Sequence, residues 1–348
     1  MTLRVGFTGG GNITDTHIRA VQAVPGLEPV GVYGRNAERV GGLAARHGLE
    51  VASSYADLLS RDLDIVCLGS PSGVHADEIG LAAAQRVHVL TEKPLDISTE
   101  RCDGAIAAAE NAGISLGVFF QDRCTPAFRT LKQAIDAAQL GRPLIVDARV
   151  KWYRAPEYYG ASRWRGTWEL DGGGALMNQA IHTVDLMLWL LGDVTRVSAR
   201  ASTLLHTIEV EDTVVATLEF ENGAVGTFLA TTAAYPGFAR RLEITGTEGT
   251  AAVDQDRVAE WAVRPSEPAT PVPPFSTAAA ANASGSTAVV ADATPHRRVV
   301  EDFVEALRTG GRPACDGREG RRSVAVVTAM YESSRTGAPV DLQAVTAG

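Results

Sequence analysis

The chain has 348 residues, 45% of them apolar and 21% charged, with a formal net charge of -9 and a pI near 5.3. That length exceeds what one hydrophobic core usually holds, so two domains are expected, and the acidic balance argues against a nucleic-acid backbone or an anionic membrane as partner. The N-terminus lacks the pattern of an export signal, no apolar run reaches the roughly 18 to 20 residues that span a bilayer, and Cys67, Cys102, Cys124 and Cys315 are scattered without metal or disulfide spacing, so a cytoplasmic protein without a metal site is expected.

In chain order, Leu3 to Phe7 is a short β-prone run, followed by Gly9-Gly10-Gly11-Asn12-Ile13 and a helical pattern through Ile18, Val21 and Val24. Strand, glycine turn and helix in that order suit a dinucleotide, because the backbone must turn sharply and bring a helix N-terminus close to a pyrophosphate. Thr14 stands where the fingerprint usually has Gly or Ala. The next strand, Pro29 to Tyr33, ends in Gly34-Arg35-Asn36, without the carboxylate that would bind a ribose 2'-hydroxyl. Arg35 in that place favours a 2'-phosphate, hence NADP, with NAD the alternative. Asp64 to Leu68 is nearly all apolar, as a strand covered on both faces should be, and leads through Gly69-Ser70-Pro71-Ser72-Gly73-Val74-His75 into a helix from Val74 to Gln85. Strand Val87 to Leu90 then delivers Glu92-Lys93-Pro94-Leu95, and helix Thr99 to Ala112 with strand Ile114 to Phe119 completes a doubly wound sheet of about six strands.

After Gln121-Asp122-Arg123, the spacing predicts a helix over Pro126 to Gln139 and a strand over Leu144 to Lys151. A loop follows with Trp152, Tyr153, Arg154, Tyr158, Tyr159, Trp164, Arg165 and Trp168. Aromatic faces beside hydrogen-bonding groups suit the ring faces and polar edges of a sugar, although such a loop can also pack on itself or on another subunit. Asp171-Gly172-Gly173-Gly174 leads into a helix starting near Asn178 and closed by Gly192, in which Asn178, His182 and Asp185 share one stripe. On the pattern alone, His182 reads as a hydrogen-bonded core residue. From Val194 to Ala262, successive β runs at Arg196 to Leu204, Thr213 to Phe220, Ala224 to Ala230, Arg240 to Thr245 and Gly249 to Val253 predict a mainly antiparallel sheet, with a hairpin at Glu221-Asn222-Gly223. Residues 264–295 read as a long loop, either an active-site flap or an insertion, and helices near His296 to Arg308 and Arg318 to Arg335 close the chain.

The Gly9-Gly10-Gly11-Asn12-Ile13, Ser70-to-His75 and Glu92-Lys93-Pro94-Leu95 motifs, with the His182 helix, resemble the glucose-fructose oxidoreductase and inositol dehydrogenase family, Gfo/Idh/MocA, along nearly the whole chain. The resemblance implies an N-terminal doubly wound Rossmann domain over 1–121 and, over 122–348, a substrate-binding and oligomerisation domain built on a large, mainly antiparallel open sheet. It implies an NAD(P)-dependent dehydrogenase that moves a hydride between nicotinamide and a secondary alcohol of a sugar, sugar derivative or cyclitol, with Lys93 touching cofactor and substrate and His182 as the general base. Asn178 stands where the family often has aspartate, and Ala180 where it usually has glycine. The expected cofactor site comprises Gly9, Gly11, Asn12, Ile13, Arg35, Ser70, Pro71, His75, Glu92, Lys93 and Gln121; the expected substrate site comprises Lys93, Arg123, Trp152, Tyr159, Trp164, Arg165, Asn178 and His182. A homodimer or homotetramer is also expected. The alternatives are a lyase or glycosidase that retains its cofactor and uses transient oxidation, and a non-catalytic cofactor sensor.

Overall fold

The structure, a computed structural model, describes residues 2–162, 164–265 and 292–343. The chain divides into two compact units, passing from the first to the second after Gln121, returning for Glu169–Gly172, and re-entering the first up to Val324.

The first unit is built on six parallel strands, β1 (Leu3–Thr8), β2 (Leu27–Tyr33), β3 (Glu50–Val51), β4 (Ile65–Leu68), β5 (His88–Thr91) and β6 (Leu116–Val118), in the order β3-β2-β1-β4-β5-β6. The order reverses direction between β1 and β4, which opens a crevice at their carboxyl ends. All of β4 is buried, as its unbroken apolar run requires. The intervening helices begin and end on their own sequence signals. Asn36 Oδ1 accepts from Arg39 N (2.9 Å) to cap Ala37–His47, Ser98 Oγ accepts from Arg101 N (3.3 Å) to cap Thr99–Ala112, and Gly48 and Gly113 close those helices at φ 67° and 69°. Helix Thr294–Thr309 returns to this unit, packs on helix Asn12–Gln22, and presses Phe303 so close to β6 that a Cβ on Gly117 would lie 2.8 Å from its ring.

The second unit carries eight strands, β7 (Pro143–Lys151), β8 (Val194–Ser202), β9 (Thr213–Phe220), β10 (Val225–Thr231), β11 (Arg241–Gly246), β12 (Gly249–Asp254), β13 (Arg257–Val263) and β14 (Val340–Asp341), in the order β13-β12-β11-β7-β10-β9-β8-β14. The β7–β10 pair is parallel and the other pairs are antiparallel. Alternation decides the faces: Val214, Ala216, Leu218 and Phe220 of β9 are buried while Val215 is 51% exposed. Gly223 turns the expected hairpin at φ 84°. Helix Ile181–Leu191 lies within this unit's core, with Ile181, Val184, Leu186 and Met187 wholly buried.

Three expectations change in detail. The helix does not begin as an α-helix near Asn178: Ala175–Ala180 is a π-helical turn, and the α-helix starts at Ile181. A π turn inserts a residue relative to α spacing, so the i, i+4 relation expected between Asn178 and His182 is not that of one continuous α-helix. The sheet gains β13 and β14 beyond the expected runs. The loop expected over 264–295 lies mostly outside the described residues, and its last two positions already belong to the helix beginning at Thr294. Among the described residues no helix is long and apolar enough to cross a membrane.

Candidate active site

In the first unit, β1 runs into Gly9 at φ 95°, where a Cβ would lie 2.3 Å from the Gly69 carbonyl oxygen and 2.6 Å from Thr14 Oγ1. The β1 and β4 turns therefore touch backbone to backbone. Gly11 is extended and precedes helix Asn12–Gln22 with no side-chain cap, and a Cβ there would meet nothing within 4 Å. The open glycine and the uncapped N–H groups behind it form a backbone cradle suited to an anion. Thr14, the departure from the glycine fingerprint, is fully buried and donates its hydroxyl to the Thr8 carbonyl (3.2 Å), so it joins the turn to the helix from within. Arg35 is exposed at the end of β2, and its charge reaches Glu78.

The second edge of this site is the Ser70-to-His75 turn. Ser70 Oγ donates to Glu78 Oε2 at 2.6 Å and Thr8 Oγ1 to the same oxygen at 3.1 Å. Burial raises the Glu78 carboxyl, and these two donors with the charges of His75 and Arg35 only partly oppose it. His75, expected to touch the cofactor, is 1% exposed, and its Nδ1 and Nε2 lie 2.9 Å and 3.1 Å from the carbonyl oxygens of Pro94 and Ser70. The ring pins together the two turns and does not offer an edge to a ligand.

Glu92-Lys93-Pro94 follows β5, with a cis peptide between Lys93 and Pro94. The backbone around the half-buried lysine is held on both sides. Glu92 N donates to the Leu68 carbonyl (2.9 Å), Lys93 N donates to Glu92 Oε2 (3.2 Å), and Asp96, fully buried, accepts from Ala76 N and Ile97 N. Glu92 Oε1 in turn meets His17 Nε2 at 2.9 Å, and His17 stacks on Phe119 with centroids 4.2 Å apart. Burial works against the Glu92 carboxylate, yet the His17 hydrogen bond and the charges of His17, Lys93 and His296 hold it down to about 2. His17 and His296, with Glu92, have ligating atoms within 4.8 Å of one another, but the His17–Glu92 contact is already a hydrogen bond and Lys93 places a cation beside it. Among the described residues Gln121 Oε1 is buried and accepts no hydrogen bond, as an acceptor awaiting a donor would be.

In the second unit, two glycines position the histidine helix. A Cβ on Gly173 would lie 2.1 Å from Tyr331 Oη, and one on Gly174 1.8 Å from the Glu211 carbonyl oxygen. The Glu211 side chain caps the π-helical turn, accepting from Leu176 N (2.8 Å), Gly174 N (3.1 Å) and Tyr331 Oη (3.0 Å), and burial pushes its carboxyl up to about 7. Gln179 on that turn donates to Asn178 Oδ1 (3.1 Å) and Tyr158 Oη (2.8 Å) and accepts from Arg154 (2.9 Å). His182 Nδ1 faces Asp122 Oδ2 at 3.8 Å, and that carboxylate also pairs with the buried Arg240.

Of the expected substrate residues, Tyr159 donates to or accepts from Thr232 Oγ1 (2.9 Å), while Trp152 and Trp164 lie under the guanidinium groups of Arg154 and Arg165. Arg123 is elsewhere. It is 7% exposed and makes a two-pronged pair with the fully buried Asp185, Nε to Oδ2 at 2.8 Å and Nη2 to Oδ1 at 2.5 Å. Its charge is used inside the fold, because an arginine in this position can be buried only with a matched carboxylate. Asp122, Glu211, Arg240 and His17 carry no motif, and neither they nor Gln179, which stands between Asn178 and the histidine helix, were assigned a role from sequence.

A six-stranded sheet in this order, with an uncapped glycine turn at its switch point, defines a fold of the dinucleotide-binding class. Residues 3–120 match the profile of the oxidoreductase family with an NAD-binding Rossmann fold, and 128–252 match the GFO/IDH/MocA C-terminal domain. The chain is 34% identical to the WlbA dehydrogenase of Bordetella pertussis, whose crystal structure holds NADH and UDP-GlcNAcA, with a TM-score of 0.86 and 99% of each chain covered. It is 30% identical to D-xylose 1-dehydrogenase (NADP(+)) 2 of Haloferax volcanii, over 93% of this chain and 95% of that one. It is 28% identical to the oxidoreductase YrbE of Bacillus subtilis, over 97% and 96%. The protein belongs to the Gfo/Idh/MocA family of NAD-binding oxidoreductases.

Proposed function

We propose that the protein oxidises a secondary alcohol of a sugar, sugar derivative or cyclitol, reversibly, with His182 as the general base and Lys93 as the hydrogen-bond donor to the same oxygen. The observation that carries this reading is the setting of His182: it stands at the start of the buried helix with its Nδ1 3.8 Å from Asp122 Oδ2, too far for a hydrogen bond, and an imidazole is the side chain suited to exchange a proton as a general base. Lys93 stabilises the negative charge that grows on the alcohol oxygen. Asn178 supplies an amide to orient a hydroxyl. The backbone cradle at Gly9, Gly11, Asn12 and Ile13, the turn at Ser70 and Pro71, Glu92, Lys93 and Gln121 fit a nicotinamide dinucleotide, which when bound supplies the hydride acceptor. Trp152, Tyr159, Trp164 and Arg165 line the sugar side; Arg123 is withdrawn from it, and His75 acts through the turns that it holds.

Arg35 supports NADP, since it stands exposed where a 2'-phosphate would lie. NAD is the competing reading, supported by the NADH in the WlbA structure. Titration with NADPH and NADH decides it: equal affinities would remove the argument from Arg35. The test of the chemistry is Lys93→Met, which should keep cofactor affinity while turnover on a responsive sugar falls by about 10^2 to 10^4; near-normal turnover would sink the assignment. The exposed face of the second sheet, with Ile145 and Val225 at 50% and 52% exposure and paired across β7 and β10, supports association into a homodimer or homotetramer, to be checked by sedimentation. A cytoplasmic location accords with this chemistry and is checked by fractionation.

A further inference from the structure

His17 is wholly buried on helix Asn12–Gln22 and carries an imidazole into the core of the first unit. Phe119 stacks on its ring, with centroids 4.2 Å and planes 13° apart, and the His296 ring lies 6.0 Å away. His17 Nε2 stands 2.9 Å from Glu92 Oε1. Because Glu92 is held down to about 2, its oxygens are acceptors only, and the proton of that contact sits on His17 Nε2. Among the described residues His17 Nδ1 is also buried and has no hydrogen-bond partner. An apolar side chain would pack on Phe119 without leaving such an atom unsatisfied, so packing does not account for an imidazole here. The bond to Glu92 does.

The other oxygen of Glu92 accepts from Lys93 N at 3.2 Å, while Glu92 N donates to the Leu68 carbonyl at 2.9 Å. One carboxylate thus joins the helix that opens at the glycine turn to the main chain of the lysine that follows β5. The path is short and continuous: Phe119 ring, imidazole, carboxylate, Lys93 N–H. With one hydrogen bond on each oxygen, the carboxylate cannot turn without breaking one of them.

We propose that His17 is a positioning residue: its Nε2–H fixes the Glu92 carboxylate, and through it the Lys93 backbone, in the orientation from which the lysine acts. The inference rests on the reading of Lys93 as the donor to the alcohol oxygen. A catalytic group misplaced by about 1 Å can cost about 10^2 in rate, so a hydrogen bond one residue removed from the lysine is felt in turnover and not in the affinity for cofactor or sugar.

The chain holds three lysines, Lys93, Lys132 and Lys151, so the full-length protein labelled with 15N-lysine gives three backbone amide signals, that of Lys93 being the one lost in Lys93→Arg. In His17→Leu the Lys93 amide should shift and exchange with solvent about tenfold faster or more. Lys132 and Lys151, in the second unit, should keep their signals, and NADH affinity within about threefold of wild type verifies the first unit. His17→Gln, whose amide can donate to the same oxygen, should restore the Lys93 signal. On a sugar or cyclitol that reduces the cofactor, kcat of His17→Leu should fall by about tenfold to a hundredfold at nearly constant KM, and His17→Gln should recover most of it. Should His17→Leu not fold, His17→Asn, polar but too short to reach Glu92, takes its place with the same expectations. An unmoved Lys93 amide overturns the proposal, as do unchanged turnover and an equal loss in the leucine and glutamine variants, which a packing role alone would give. Normal turnover of Lys93→Met would refute the reading of Lys93 and the proposal with it; an inactive Lys93→Met beside a fully active His17→Leu would refute the proposal alone.

Discussion

Arg123 offers the sharpest separation between a structural and a substrate-binding arginine. It forms a two-pronged pair with Asp185, and the two side chains are 6% and 0% exposed. Removing one partner leaves a buried charge without its counter-charge, which costs about 3 to 5 kcal/mol. For a unit of this size each kcal/mol lowers the melting temperature by about 2 to 4 °C, so Arg123→Met or Asp185→Asn should each lower it by about 10 °C. The double variant Arg123→Met with Asp185→Leu replaces the pair by apolar volume and should lose less than either single change. Thermal melts of the four proteins test that order, and sugar KM measured well below the melting range should move by less than about threefold, the size expected when no ligand contact is lost. Unchanged melting of Arg123→Met together with a large rise in KM would refute the reasoning and return Arg123 to the substrate site.

Glu211 ties stability to pH. Its carboxyl rises on folding from 4.5 to about 7, so between those values the folded protein binds more protons than the unfolded chain, and stability falls as pH rises through that window, by about 3 kcal/mol in all. Melting from pH 5 to 8 should show that decline, and Glu211→Gln should flatten it; a variant with the same slope would place the titration elsewhere. At the cofactor turn, Gly9→Ala forces a Cβ to 2.3 Å from the Gly69 carbonyl at a φ of 95°, and should weaken nicotinamide dinucleotide binding at least about tenfold while lowering stability by about 1 to 3 kcal/mol. Wild-type cofactor affinity in that variant would show that the β1 and β4 turns need not touch.

The cofactor unit was largely legible because its signals are local. An apolar run, a glycine turn and an amphipathic helix each declare themselves within about ten residues, and even helix Ala37–His47, not assigned from sequence, was marked by Asn36 as its cap and Gly48 as its stop. The histidine helix was legible in identity but not in form. Its π-helical turn depends on Glu211, which follows Asn178 by some thirty residues and caps Gly174 and Leu176. No window around Asn178 contains that information.

The same boundary separates what the chain states by itself from what folding decides. Sequence alone determined the parallel sheet, its glycine turn, the placement of Lys93 after β5 and of His182 on an apolar helix, since backbone propensity and hydrophobic period are properties of neighbouring residues. Tertiary structure decided which charged groups are matched by a counter-charge inside the fold. Arg123 and Arg165 look alike in sequence, but one is matched by a buried aspartate and the other, among the described residues, has no carboxylate partner. An arginine's role is set by the charge that reaches it in space, and the distances that bring Asp185 to Arg123, Asp122 to His182 and His17 to Glu92 exist only once strands and helices far apart in the chain have packed.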